Sequence, residues 1–162
     1  MSSPLPKGVL VNHFSKSAFS ISLLLTSLAS FAGSFDGKWQ GTGIQTLHLS
    51  SQSVNCTELV MDVEQSETSL KVTSSEMTCG DEVSPARTLE FVLDGSKVLL
   101  RGHLVGTFNQ ESGLSITLPI PNTNMTAKMK AVLVNPKNLQ YMRDLFQGTV
   151  HVSTTSVVLD LK

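Results

Sequence analysis

Met125-Thr126-Ala127-Lys128-Met129-Lys130-Ala131-Val132-Leu133 decides the fold class of this chain. Apolar Met125, Ala127, Met129, Ala131 and Leu133 alternate with Thr126, Lys128 and Lys130, which gives one dry and one wet face only if the segment is a strand. Outward from this run (125–134) the same period recurs over 38–49, 58–66, 69–78, 87–94, 97–109, 113–120 and 149–161, in a chain rich in Ser, Thr and Val. Turn chemistry separates the runs: Asp94-Gly95-Ser96 is a tight connection, and 109–113 is a longer hairpin with Gly113 at a position of positive φ. The expected fold is all-β, a single up-and-down antiparallel meander barrel of eight to ten strands. Closure removes the edges that a long open meander would expose.

Residues 135–148 fit two structures. As a helix, Asn135 is the N-cap, Pro136 takes the first turn, Gly148 stops it, and Leu139, Met142, Leu145 and Phe146 share a face. As a strand, Leu139, Tyr141, Arg143 and Leu145 alternate, with Gln147-Gly148 turning into Val150. A closed meander whose first and last strands pair antiparallel needs an even number of strands, and the helix leaves eight. The aromatic content and the return to β pattern after Gly148 tip the balance to a closing hairpin.

The N-terminus reads as a secretion signal. Lys7, His13 and Lys16 form a basic n-region, 17–29 is an uncharged apolar core, and the small residues Ser30 and Ala32 set up cleavage after Ala32. The apolar run is shorter than the ~20 residues a bilayer span needs, so stable membrane insertion after cleavage is not expected. The expected organisation is a cleaved signal at 1–32 and one barrel domain at 33–162, secreted or periplasmic. Losing Lys7 and Lys16 takes the net charge from −1 to −3. No cluster of Lys and Arg remains to serve nucleic acid.

Cys56 and Cys79, the only two cysteines, are expected to form a disulfide in an oxidising compartment. If 58–66 and 69–78 form a hairpin turning between Glu67 and Thr68, opposed residues total 135, and so do Cys56 and Cys79. The same register sets Glu64 against Lys71 and Val63 against Val72, a charge pair and a packed pair on opposite faces.

Phe35-Asp36-Gly37-Lys38-Trp39 resembles the first-strand signature of the calycin superfamily, which includes lipocalins, fatty-acid-binding proteins and avidins. The shared element is Gly-x-Trp, here Gly37-Lys38-Trp39. The resemblance implies a lipocalin-like barrel in which Gly37 permits close backbone approach. It also implies that Trp39 closes one end beneath a basic side chain from the final strands, for which Arg143 is the candidate. It reaches the superfamily and no single family, because no helix pair follows the first strand and Leu139-Gln140-Tyr141 is a poor match to the second lipocalin motif.

No catalytic signature is present: the chain has no Gly-x-Ser-x-Gly elbow, no phosphate loop and no dinucleotide fingerprint, and no cofactor is implied. His48, His103 and His151 lie on separate strands without metal-ligand spacing, so no metal site is expected. Asn55-Cys56-Thr57 and Asn124-Met125-Thr126 match the glycosylation sequon and are taken as chance matches. Gly102 and Gly106 read as relieving curvature within a strand. The expected function is binding of a small hydrophobic molecule in the lumen, against Met61, Phe91, Leu104, Phe108, Met125 and Met129. The alternatives are a secreted or envelope structural or interaction protein with a packed core, and a small barrel enzyme.

Overall fold

The computed structural model describes residues 34–109 and 113–162, and the expected signal at 1–32 lies outside the described residues. Among the described residues there is no helix. Twelve strands follow one another: β1 (Gly37–Leu47), β2 (Gln52–Gln65), β3 (Ser69–Ser74), β4 (Met77–Cys79), β5 (Glu82–Ser84) and β6 (Arg87–Asp94), then β7 (Lys97–Leu100), β8 (His103–Asn109), β9 (Gly113–Pro119), β10 (Met125–Asn135), β11 (Asn138–Gln147) and β12 (Val150–Leu161). Every pairing around the sheet is antiparallel, in the order β1-β12-β11-β10-β9-β8-β7-β6-β3-β2, with β4 against β2 and β5 against β4, and β1 pairs with both β2 and β12, which closes it.

Ten strands, not twelve, make the ring. Val63↔Val72 and Cys56↔Cys79 share the total of 135, and the Ser75 amide donates to Val60 O at 2.8 Å between them, so β3 and β4 are one interrupted strand along β2. Likewise Val72↔Leu89 and Cys79↔Glu82 share the total of 161, so β5 and β6 are one strand broken at Pro85, which has no amide hydrogen to donate. The Cys56–Cys79 disulfide forms in this register, and Glu64 pairs with Lys71 at 2.7 Å.

Residues 135–148 are a turn and a strand. Leu139 and Leu145 are buried on the face that also carries Tyr141 and Arg143. Asn135 does use its side chain as an acceptor, taking the Lys137 amide at 2.9 Å, but in an Asx turn and not a helix cap. The expected single strand 97–109 is instead the β7–β8 hairpin. Arg101 and Gly102 take φ of 53° and 80°, the left-handed pair of a two-residue hairpin turn, so Gly102 makes the turn and does not relieve curvature within a strand. Adding β11 and this split brings the expected eight strands to an even ten.

Two glycines set how tightly the ring closes. A Cβ at Gly41 would stand 2.0 Å from Val158 O, and one at Gly43 would stand 2.3 Å from Ser156 O. Only hydrogen fits at this seam. Below it, Trp39 is 0% exposed and donates from Nε1 to Phe35 O at 2.8 Å, while Phe35 packs edge-on to Phe108 at 5.7 Å. These rings, with Leu139 and Leu159, fill one end of the barrel.

Candidate functional site

Above the packed end the lumen stays open. A cavity of about 470 Å³ lies among the inward-facing side chains of Met61, Phe91, Leu114, Ile116, Met129 and Tyr141. Small residues make room for it: Ala127 and Ala131 flank Met129 on β10, and all three line the space. An interior of Leu or Phe at those two positions would occupy volume that the alanines leave free.

The cavity meets solvent through the wall. β6 pairs with β7 only at 92–94, and β8 pairs with β9 only at 106–109, because the β7–β8 hairpin is short. Among the described residues, the first half of β6 and the last three residues of β9 therefore have no strand beside them on that side. The lining there is Arg87, Leu89, Leu100, Arg101, Leu118 and Pro119, of which Arg87, Arg101 and Pro119 are exposed.

A polar network crosses the lumen at the end away from Trp39. Arg143 on β11 pairs with Glu82 on β5, Nη2 to Oε1 at 2.7 Å, and also donates to Ser84 and, at 3.4 Å, to Thr155. Buried Gln45 donates to the other carboxylate oxygen of Glu82. The Arg143 Nε hydrogen is buried with no partner among the described residues. The disulfide controls where Glu82 sits, since Cys79 lies directly opposite it in the β4–β5 hairpin and is tied to β2. Tyr141, two residues before Arg143, lines the cavity, and its hydroxyl has no hydrogen-bond partner among the described residues. Burial raises its pKa, opposed by the nearby positive charges of Arg143 and Arg87.

Of the six residues expected at the ligand, Met61, Phe91 and Met129 line the cavity. Phe108 belongs to the packed end against Phe35, and Met125 is half-buried at the start of β10, outside the lining. Leu104 points outward and is 64% exposed. A bulge explains the error: Leu99 faces Leu104 while Val98 faces Gly106, so Val105 is an extra residue that reverses the phase between Leu104 and Phe108. Arg143 does not cover Trp39. Its strand neighbour Thr155 lies opposite Gln45, six residues along β1 from the Trp, and its partners are there. The sequence reading did not single out Arg87, Glu82, Gln45 or Tyr141, although the odd-numbered phase 87, 89, 91, 93 on β6 and 139, 141, 143, 145 on β11 carried the signal.

Histidines 48 and 151 do meet, on the outer wall, with ring centroids 4.0 Å apart, and His151 Nε2 lies 3.2 Å from Asp144 Oδ1. His103 is exposed beside the β7–β8 turn. Among the described residues no group of three or more His, Cys, Asp or Glu side chains is placed to hold a metal.

No family model and no curated protein matches the sequence. Solved structures do match. The chain superposes on the S-type phycobiliprotein lyase of Guillardia theta with a TM-score of 0.57 and 13% identity, over 82% of this chain and 90% of that one. It superposes on a protein of unknown function from the DUF3598 family of Nostoc punctiforme with a TM-score of 0.54 and 14% identity, over 79% of this chain and 48% of that one. The chain thus spans about half the length of the second. At these identities the likeness establishes the fold alone: the chain is a closed up-and-down barrel of ten antiparallel strands.

Proposed function

We propose that this protein is a secreted or periplasmic lipocalin-like barrel that binds a small, largely apolar molecule in its lumen. The observation that carries this is the cavity itself, about 470 Å³, within the roughly 300–1,000 Å³ usual for small-molecule sites. Its walls are mainly Met, Leu, Ile, Val and Phe, with few polar groups converging from β5, β6 and β11, the composition that orients an apolar ligand. The disulfide and the signal pattern at 1–32 support an oxidising destination. A mature form beginning at Gly33, found by N-terminal sequencing, tests that part.

Met129→Trp tests the lumen. The native protein should take up a neutral hydrophobic fluorophore, and the variant should lose it by tenfold or more while its urea midpoint stays put, since the added ring enters empty space. If the variant instead loses the 1–3 kcal/mol or so typical of overpacking, the interior is solid. A protein acting through its outer surface then becomes the better account.

A further inference from the structure

We propose that the ligand carries an anionic group, a carboxylate or similar oxyanion, held at the opening in the wall by Arg87 and Tyr141. This rests on the lumen as the binding site and specifies the chemistry of what enters it.

Charge is distributed unevenly between the cavity and the chain. The whole sequence has a net charge of −1, yet among the described residues the side chains facing the cavity or its mouth include Arg87, Arg101 and Arg143 against a single carboxylate, Glu82. That carboxylate is spent: one oxygen is on Arg143 and the other on Gln45. Arg143 is therefore internally neutralised and built into the barrel. Arg87 is different. It opens β6 on the same phase as Leu89, Phe91 and Leu93, so it belongs to the inward row, but at the mouth and exposed. It has no ion-pair or hydrogen-bond partner among the described residues.

Tyr141 supplies the second half. Arg87 from β6 and Tyr141 from β11 line the same cavity, and the Arg87 charge opposes the rise in the phenol's pKa. Burial nevertheless holds the proton on, so the hydroxyl remains a donor. A free guanidinium and an unpaired O–H donor beside an apolar chamber complement a molecule with an apolar body and one anionic end. In such a pose the apolar part lies against Met61, Phe91 and Met129, and the anion stays at the opening. There it keeps part of its hydration and the charge-assisted bond costs less desolvation than a fully buried pair. A net positive rim also raises the local concentration of anions.

The test uses a matched pair of probes, dodecanoate and dodecanol, each displacing N-phenylnaphthylamine from the full barrel. Native protein should bind the acid about tenfold or more tightly than the alcohol, as expected for a hydrogen-bonded charge, and the difference should shrink with salt. Arg87→Gln should abolish the preference by weakening dodecanoate far more than dodecanol, and Arg87→Lys should restore part of it. Tyr141→Phe should reduce it by a smaller factor. Equal affinities in the native protein overturn the anionic ligand while leaving the lumen as a binding site. A preference that survives Arg87→Gln overturns the assignment to Arg87. If neither probe displaces the dye because the dye itself does not bind, the lumen function fails, and this proposal with it.

Discussion

The ion pair across the lumen should respond asymmetrically to loss of its two halves. Glu82→Leu strands the Arg143 guanidinium, whose side chain is only 12% exposed and already holds one unpartnered N–H. Stranding a buried charge costs about 3–5 kcal/mol. The remaining bond to Ser84 places this case near the lower end, at about 3 kcal/mol. Arg143→Met strands Glu82, but that side chain is 35% exposed and keeps its bond from Gln45, so water and the amide solvate it. The cost after solvent screening is about 1 kcal/mol. The double variant should cost less than the sum, because neither charge is left alone. Equilibrium urea unfolding followed by the fluorescence of Trp39, the only tryptophan, reads all three. With a slope of about 1.5 kcal/mol/M, the midpoint falls by about 2 M for Glu82→Leu and by less than about 1 M for Arg143→Met. Equal losses, or a double variant that is strictly additive, would refute the pairing as described.

Replacing both cysteines by serine frees a loop with a sequence separation of 23 residues, worth about 3 kcal/mol in the chain-entropy model. Calorimetry should show a melting temperature lower by roughly 10 °C. Tyr141 is the only tyrosine, so tyrosinate absorbance titrates it alone, and the midpoint in the folded protein should lie above the ordinary value of 10.0. Because the folded state then holds a proton that the unfolded state releases, stability present below about pH 10 should fall as pH rises past it, and Tyr141→Phe should remove that part of the fall. Gly106→Ala puts a Cβ 1.9 Å from Ser115 O, so β8 and β9 must separate; it should cost several times the ~1 kcal/mol expected at Gly95, where φ is 58° and nothing lies within 4 Å. Matching losses at 95 and 106 would show that the β8–β9 approach is looser than described.

The fold was legible because its determinants are local and periodic. Alternation on β10, the constant register of the β2–β3 hairpin and the turn at Gly95 each follow from backbone geometry that a few residues fix. The β7–β8 turn escaped because Arg101 is not a residue that advertises positive φ and the apolar pattern runs straight across it. The bulge at Val105 has no sequence mark at all, and it alone moved Leu104 from the expected lumen to the outside. The site was half legible for a related reason. Met61, Phe91 and Met129 are set by phase along their own strands, whereas Glu82, Gln45 and Arg143 meet across the barrel, and which residues share a level there depends on the stagger of every strand between them.

β1 reaches its two partners on very different schedules. β2 lies one turn away, whereas Trp39 meets Leu161 only when nearly the whole domain has been laid down between them. Contacts of such range form late, because the entropy of closing the intervening chain must be met first. Until then β1 and β12 are both open edges, the condition in which β proteins recruit foreign strands. Gly41 and Gly43 bear on that interval as well as on the finished seam. They leave the waiting strand with little side chain to pack and a weak tendency to remain extended, so it is a poor template for a stranger. Opposite Ile44 to Leu47, β12 offers a run of hydroxyls from Ser156 back to Ser153, and its apolar end begins at Val157, opposite Gly43. Each strand of the join that completes the barrel thus carries a stretch poorly suited to recruiting a stranger before the two find each other.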